Sequence, residues 1–203
     1  MLTPPAFARP EPLAIPSDGT LKSDPVVPGG KVISDIASDT QARTNWCWAA
    51  VGAALSRFLG SPMTQVDVAV RWYAPAQAGN DVQSLWAVVH KIFGVSMEKR
   101  RSDDLKKTEK SRIRIVASID AGHPVGVNII WDAGGGHFVC IFGYDRLAGE
   151  QAFWIYDPTG LDGNSSNCEL RLVSEMARYP EPAGTPGQFG HWAEALFLPD
   201  SGA

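Results

Sequence analysis

Cys47, His137 and Asp157 are residue types that together can run nucleophilic acyl transfer. A thiol attacks, an imidazole moves its proton, and a carboxylate orients the imidazole. Cys47 lies where Asn45 can cap a helix that starts at Trp46. At the first positions of a helix, unpaired N–H groups and the dipole favour an anion, so a thiol there ionises more readily. By itself, a cysteine between Trp46 and Trp48 reads first as a small buried hydrophobe. The other two cysteines have no comparable setting. Cys140 shares strand parity with Phe138 and Phe142 and reads as core, and Cys168 falls in a polar loop.

The four histidines separate in the same way. His90 rides a helix surface, His123 sits in a Gly-His-Pro turn, and His191 lies in a Gly-rich approach to Trp192. His137 follows three glycines, 134–136, and opens a strongly apolar strand, which is where a titratable group can face a site. His137–Asp145 and Gln151–Asp157 form a hairpin around Arg146–Glu150. A turn centred on Leu147 places His137 directly opposite Asp157, with Cβ atoms about 5 Å apart. A slip of one residue would send them to opposite faces. Asp157-Pro158 also reads as a turn opener before Thr159-Gly160.

Competing chemistries lack their residues. There is no Cys-x-x-Cys, His-Glu-x-x-His, P-loop, Gly-x-Ser-x-Gly or Gly-x-Gly-x-x-Gly. No second His or Cys stands at ligand spacing from Cys47, His137 or Asp157, so no metal and no organic cofactor are expected.

The elements that must position these residues follow from periodicity. Seven of the fifteen prolines fall within Met1–Gly30, so residues 1–30 read as an extended or disordered tail and residues 31–203 as one domain. Lys31–Ala37 reads as a short strand. Helices are expected over Trp46–Leu59, closed by Gly60, and over Thr64–Tyr73. A third, capped by Asn80 or Asp81, carries Leu85, Val88, Val89 and Ile92 and ends at Gly94. The segment 97–114 is dense in Lys and Arg. It reads as a solvated loop leading to a helix over Ile113–Ala121, or, at 99–114, as a docking patch for an acidic partner. Strands are expected at Val125–Trp131, His137–Asp145, Gln151–Tyr156, Leu170–Val173 and Ala193–Leu198. Helices followed by antiparallel strands make an α+β pattern.

Composition removes whole classes. A chain of 203 residues with 44% hydrophobic residues has the material for a core. Its net charge of −4 argues against a nucleic-acid partner. Its apolar runs fall far short of the roughly 18–20 residues of a membrane helix, so no membrane is expected. Three cysteines cannot all pair. The start, MLTPPAFARPEP, has neither a basic n-region nor an apolar h-region. The expectation is a chain made in the cytoplasm, with export, if any, by a route that needs no such signal.

The run Gln41-Ala42-Arg43-Thr44-Asn45-Trp46-Cys47-Trp48-Ala49-Ala50, with Gly136-His137-Phe138 and Tyr156-Asp157-Pro158, resembles the papain-like cysteine peptidases. The likeness covers about Lys31–Pro199 and is closest to the bacterial branch that includes type III effector proteases of plant pathogens. The His lies 90 residues after the Cys, against roughly 130–150 in cathepsins. Asp157 stands where cathepsins use Asn. Both departures fit the compact bacterial branch.

The resemblance implies a helical lobe, with the nucleophile at a helix N-terminus, packed against a twisted antiparallel β-sheet lobe. It implies catalysis by Cys47, His137 and Asp157, with Gln41, six residues before the Cys, in the oxyanion hole. The substrate is then a protein or peptide, bound in a cleft near Asn45, Trp46, Trp48, Gly135 and Gly136. An amidase, isopeptidase or transamidase could use the same triad, and a silent module could bind peptides without cutting. Gly29-Gly30 loosely resembles the Gly-Gly junctions at which such effectors trim their own N-termini and related bacterial peptidases cut leaders. It reads either as a self-cleavage site or as a flexible linker.

Overall fold

The computed structural model describes residues 29–34, 36, 39–73, 79–101, 109–147, 149–159, 168–180 and 189–199. Most of the proline-rich segment and residues 102–108 of the charged one lie outside these. Helix α1, Cys47–Ser56, is buried along its whole length. Its residues are apolar or small on every side, and such a helix belongs in an interior rather than on a surface. Its neighbours are α2, Gln65–Tyr73, and α3, Leu85–Phe93.

The helix ends differ from expectation at two caps. The N-cap of α1 is Trp46, which makes no side-chain cap bond. Asn45 turns instead to Asn80, donating from Nδ2 to the Asn80 carbonyl at 2.8 Å and from its backbone N–H to Asn80 Oδ1 at 3.1 Å. Asn80 and Asp81 therefore brace the start of α1, and Ser84 precedes α3 in their place. At α2, Thr64 and Asp67 form a reciprocal cap: the Asp67 N–H donates to Thr64 Oγ1 at 3.2 Å and the Thr64 N–H to Asp67 Oδ2 at 2.9 Å. Gly94 closes α3 in the left-handed region, as its position predicts.

Among the described residues eight strands form one antiparallel sheet. They are β1 (Lys31–Val32), β2 (Glu98–Arg101), β3 (Val125–Trp131), β4 (Gly136–Leu147), β5 (Glu150–Tyr156), β6 (Cys168–Leu172), β7 (Tyr179–Pro180) and β8 (Phe189–Phe197). The main order is β2-β8-β3-β4-β5-β6, with β1 on β4 and β7 on β8. Helix α4, Glu109–Asp120, precedes β3, and a 3₁₀ helix, Val173–Arg178, precedes β7. Helices α1 to α3 pack on one sheet face with Phe138, Cys140, Phe142 and Tyr156. On the other face Ile115 and Ile119 of α4 meet Val139, Ile141, Phe153 and Ile155. A sheet covered on both faces needs continuous apolar strands, and β4 is buried from His137 to Tyr144.

The start of the charged segment is a strand and not a solvated loop: β2 pairs with β8 from Glu98↔Phe197 to Arg101↔Glu194. Its charges find local partners. Lys99 lies 3.1 Å from Glu194, and Glu98 takes both Arg100 and Arg114. A charged edge strand resists pairing with other chains. No helix among the described residues is long and apolar enough to cross a membrane.

The β4–β5 hairpin differs from expectation in its register. Its turn lies between Leu147 and Glu150, and pairs run from Leu147↔Glu150 to Gly143↔Trp154. The ladder then shifts by one residue at Phe142, and Ile141 faces Ile155 and Cys140 faces Tyr156. This β-bulge decides the site. Without it, Asp157 would share a face with Cys140, opposite to that of His137. With it, Asp157 falls on the His137 face, one pair along the strand and diagonal to it. The directly opposed pairing expected from a turn at Leu147 is thus replaced by a diagonal one.

Candidate active site

Cys47 is the first residue of α1, and the Ala49 and Ala50 N–H groups both donate to the Trp46 carbonyl at 2.9 Å. Two indoles fix that end of the helix. Trp46 Nε1 donates to the Gly79 carbonyl at 2.8 Å and Trp48 Nε1 to the Asp81 carbonyl at 3.0 Å. Both rings are buried, so Trp46 and Trp48 support Cys47 from within the core. Asn45, tied to Asn80, belongs to the same brace.

His137 is the second residue of β4, after a turn in which Gly134 and Gly135 have φ of 94° and 88°. Side chains rarely adopt that region, which is why the tight β3–β4 connection uses glycine. The imidazole is buried, and Trp131 stacks on it with centroids 5.8 Å apart and planes 15° from parallel. Trp131 can lie flat there because its neighbour across the ladder is Gly190, where a Cβ would collide with the indole.

His137 Nε2 meets Asp157 Oδ1 at 2.8 Å, both side chains being out of solvent. The Cys47 side chain lies close enough to the same imidazole to favour its charged form. With Nε2 committed to the carboxylate, the nitrogen left for the thiol is Nδ1. Burial pushes the His137 imidazole toward its neutral form, but the Asp157 carboxylate, assisted by Cys47, outweighs it and holds the pKa well above the ordinary 6.5. Burial likewise works against the Asp157 anion. The His137 charge and bonds from His137 and Thr159 outweigh it and hold the carboxyl below its ordinary range.

Asp157 is also the turn residue its sequence suggested. Its Oδ1 accepts from the Thr159 N–H at 2.9 Å and from Thr159 Oγ1 at 2.6 Å. One partner has no signal in the sequence: Tyr179 donates its hydroxyl to Asp157 Oδ2 at 2.8 Å across the core.

Gln41 is tied in by its backbone, whose N–H donates to the Pro158 carbonyl at 2.7 Å. Its Nε2 donates one hydrogen to the Thr44 carbonyl at 2.6 Å. An amide carries two, so the second remains for a ligand. Gln41 Oε1 is buried without a partner among the described residues.

Gly135 and Gly136 line an open groove of about 390 Å³. Val82 and Trp86 come from the helical side, and Asn128, Ile130, Phe138 and Glu194 from the sheet. Val82, Trp86 and Ile130 are exposed large hydrophobic residues, and all three face this groove. An exposed apolar cluster in a groove marks a place for a ligand's apolar side chain.

The remaining candidates lie elsewhere. Cys140 is buried, and burial pushes its thiol up, which leaves it unreactive. Cys168 is half-buried on β6. His90 stacks on Trp86, and His191 lies 3.6 Å from Asp132. Gly30 packs against Tyr144 and Asp145 of β4, just before β1 pairs at Lys31↔Tyr144. That is roughly 20 Å along the strand from His137, at about 3.3 Å per residue. Among the described residues no group of three or more His, Cys, Asp or Glu could hold a metal ion.

No curated protein matches the sequence. The crystal structure of UfSP from C. elegans resembles the fold with a TM-score of 0.53 at 12% identity, over 86% of this chain and 35% of that one. The chain thus spans about a third of the length of that structure. At this identity the likeness concerns the fold alone, and the fold is α+β and papain-like. Residues 33–181, well over half of the chain and including Cys47, His137 and Asp157, match the Peptidase_C39 like family. On that match the chain belongs to the Peptidase_C39 like family.

Proposed function

We propose that the chain hydrolyses peptide bonds through a Cys47-His137-Asp157 triad, with Gln41 and the Cys47 backbone N–H stabilising the oxyanion. The observation that carries this reading is the buried line of contacts from the Cys47 thiol through His137 to Asp157. His137, held protonated beside an ionised Asp157, stabilises a Cys47 thiolate. The thiolate attacks the carbonyl carbon, a C–S bond forms, and the carbonyl electron pair moves onto oxygen. That oxygen is met by the uncommitted Gln41 N–H and the Cys47 N–H. The tetrahedral adduct collapses, the C–N bond breaks, and His137 gives its proton to the leaving amine. Water, losing a proton to His137, then attacks the thioester carbon and returns Cys47 as thiolate.

The groove lined by Gly135 and Gly136, which precede His137 in the chain, supports a peptide over a small amide, because it has room for a side chain. Digestion of a peptide library, with cut sites mapped by mass, tests the reading. Cuts that vanish when Cys47 is alkylated support it, and a library left intact by fully reduced protein overturns it.

Two variants probe the parts. Gln41→Ala should lower kcat by about 10²-fold, as loss of a single oxyanion donor does, with the backbone donor still in place. An unchanged kcat removes Gln41 from the oxyanion hole. Ile130→Glu, at an exposed position, should raise KM about tenfold for peptides that present a large apolar residue to the groove. Equal KM values for both proteins would place substrate elsewhere.

A further inference from the structure

We propose that Tyr179 is a positioning residue of this site: its hydroxyl anchors the second oxygen of Asp157 and so sets the plane in which the carboxylate meets His137. The inference rests on the triad reading above and extends it by a fourth side chain.

The two oxygens of Asp157 are treated unequally. Oδ1 takes three donors, His137 Nε2 at 2.8 Å, the Thr159 N–H at 2.9 Å and Thr159 Oγ1 at 2.6 Å. Oδ2 takes Tyr179 Oη at 2.8 Å, its one donor among the described residues. The torsion that turns a carboxylate about its Cβ–Cγ bond is broad and offers little resistance by itself. Donors gathered on one oxygen leave the other free to swing, whereas a donor on each fixes the plane.

Tyr179 is built as a rigid post. Its side chain is fully buried, and its backbone pairs with Gly190. Trp131, the ring that stacks on His137, lies 6.4 Å from it, and the Arg171 guanidinium sits 4.7 Å over its other environment at the ring centroid. Burial first, and then the Asp157 charge, push the phenol above its ordinary pKa, so it remains a donor throughout the working range.

Removing the hydroxyl leaves Asp157 Oδ2 buried and unpaired, which favours the protonated acid over the carboxylate. Tyr179→Phe keeps the ring and its contacts and deletes that bond alone. It should lower kcat about tenfold with KM unchanged, and raise the acid limb of the kcat/KM–pH profile by about one unit, the worth of one hydrogen bond to a charged group. In an Asp157→Ala background the same change should have no further effect, because Tyr179 then has nothing to hold.

A readout independent of hydrolysis is the rate at which iodoacetamide alkylates Cys47, followed by peptide mapping against pH. Its acid limb should move up in Tyr179→Phe just as that of kcat/KM does. If wild type cuts no peptide, the function reading fails while the alkylation profile still decides the role of Tyr179. Should the Phe variant not fold, 3-fluorotyrosine placed at position 179 retains ring and hydroxyl and is a stronger donor, and the acid limb should move down. A folded Phe variant with wild-type kcat and wild-type limbs overturns the proposal. So does an equal loss in the Asp157→Ala background, or an unmoved limb with fluorotyrosine.

Discussion

Cys47→Ala is expected to abolish turnover, by about 10⁴-fold or more, while the protein stays folded. Enzymes that lose their nucleophile fall by this order, because the remaining oxyanion donors and binding contacts cannot form the covalent intermediate. The substitution keeps Cβ at the head of α1 and removes one sulfur from a site that is 5% exposed. The loss in stability should be about 1 kcal/mol, the scale of a small core truncation. Initial rates on a cleaved peptide and a thermal melt check both halves. A variant that keeps wild-type turnover would end the thiol mechanism.

Asp157 carries the second large effect, and two substitutions there should differ. Asp157→Ala strands His137 Nε2 and the Tyr179 hydroxyl in the core, since both now donate to this carboxylate. Turnover should fall by about 10³–10⁴-fold, and stability by about 3–5 kcal/mol, as when one partner of a buried pair is removed. Asp157→Asn is gentler. Its amide oxygen can accept from His137 and Thr159, and its NH₂ can donate to the Tyr179 oxygen, so measurable activity should remain.

The Asn variant removes the charge that holds the His137 pKa above 6.5, and burial then acts on the imidazole unopposed. The alkaline limb of kcat/KM should therefore move down, toward or below neutrality. Stability follows the same logic. The pair's contribution from His137 is complete below 6.5 and is lost as pH rises through the raised value. That from Asp157 is complete above 3.8 and is lost as pH falls through the lowered one. Between 3.8 and 6.5 the pair contributes fully, and the Asn variant should lose that plateau. Identical limbs in wild type and Asp157→Asn would reduce Asp157 to a turn residue.

Much of this site could be read from residue types in order. The helix after Asn45 was legible from its small apolar residues, and strands Val125–Trp131 and Gln151–Tyr156 from β-branched and aromatic runs bounded by Gly, Pro and Asp. The nearness of His137 to Asp157 was legible as well, because a hairpin leaves few registers. The way it is achieved was not. The one local mark of the bulge at Phe142 is the isolated Gly143 beside it, where β1 also approaches too closely for a Cβ.

Long-range partners were equally hidden. Tyr179 lies 22 residues beyond Asp157 and reaches it through the fold. The N–H groups of the tryptophans flanking Cys47 find carbonyls at 79 and 81, a demand of buried indoles that sequence position alone does not reveal. Segment 98–101 was masked by its charge, although edge strands commonly carry it.

The complete burial of α1 bears on when the enzyme becomes able to act. A ten-residue helix without a polar face has little stability of its own in water, so it forms only as the sheet and its sister helices close around it. The environment of Cys47 then forms together with the core, and amides of α1 should exchange with solvent chiefly through global opening. A nascent or partly unfolded chain holds Cys47, His137 and Asp157 but does not hold them together.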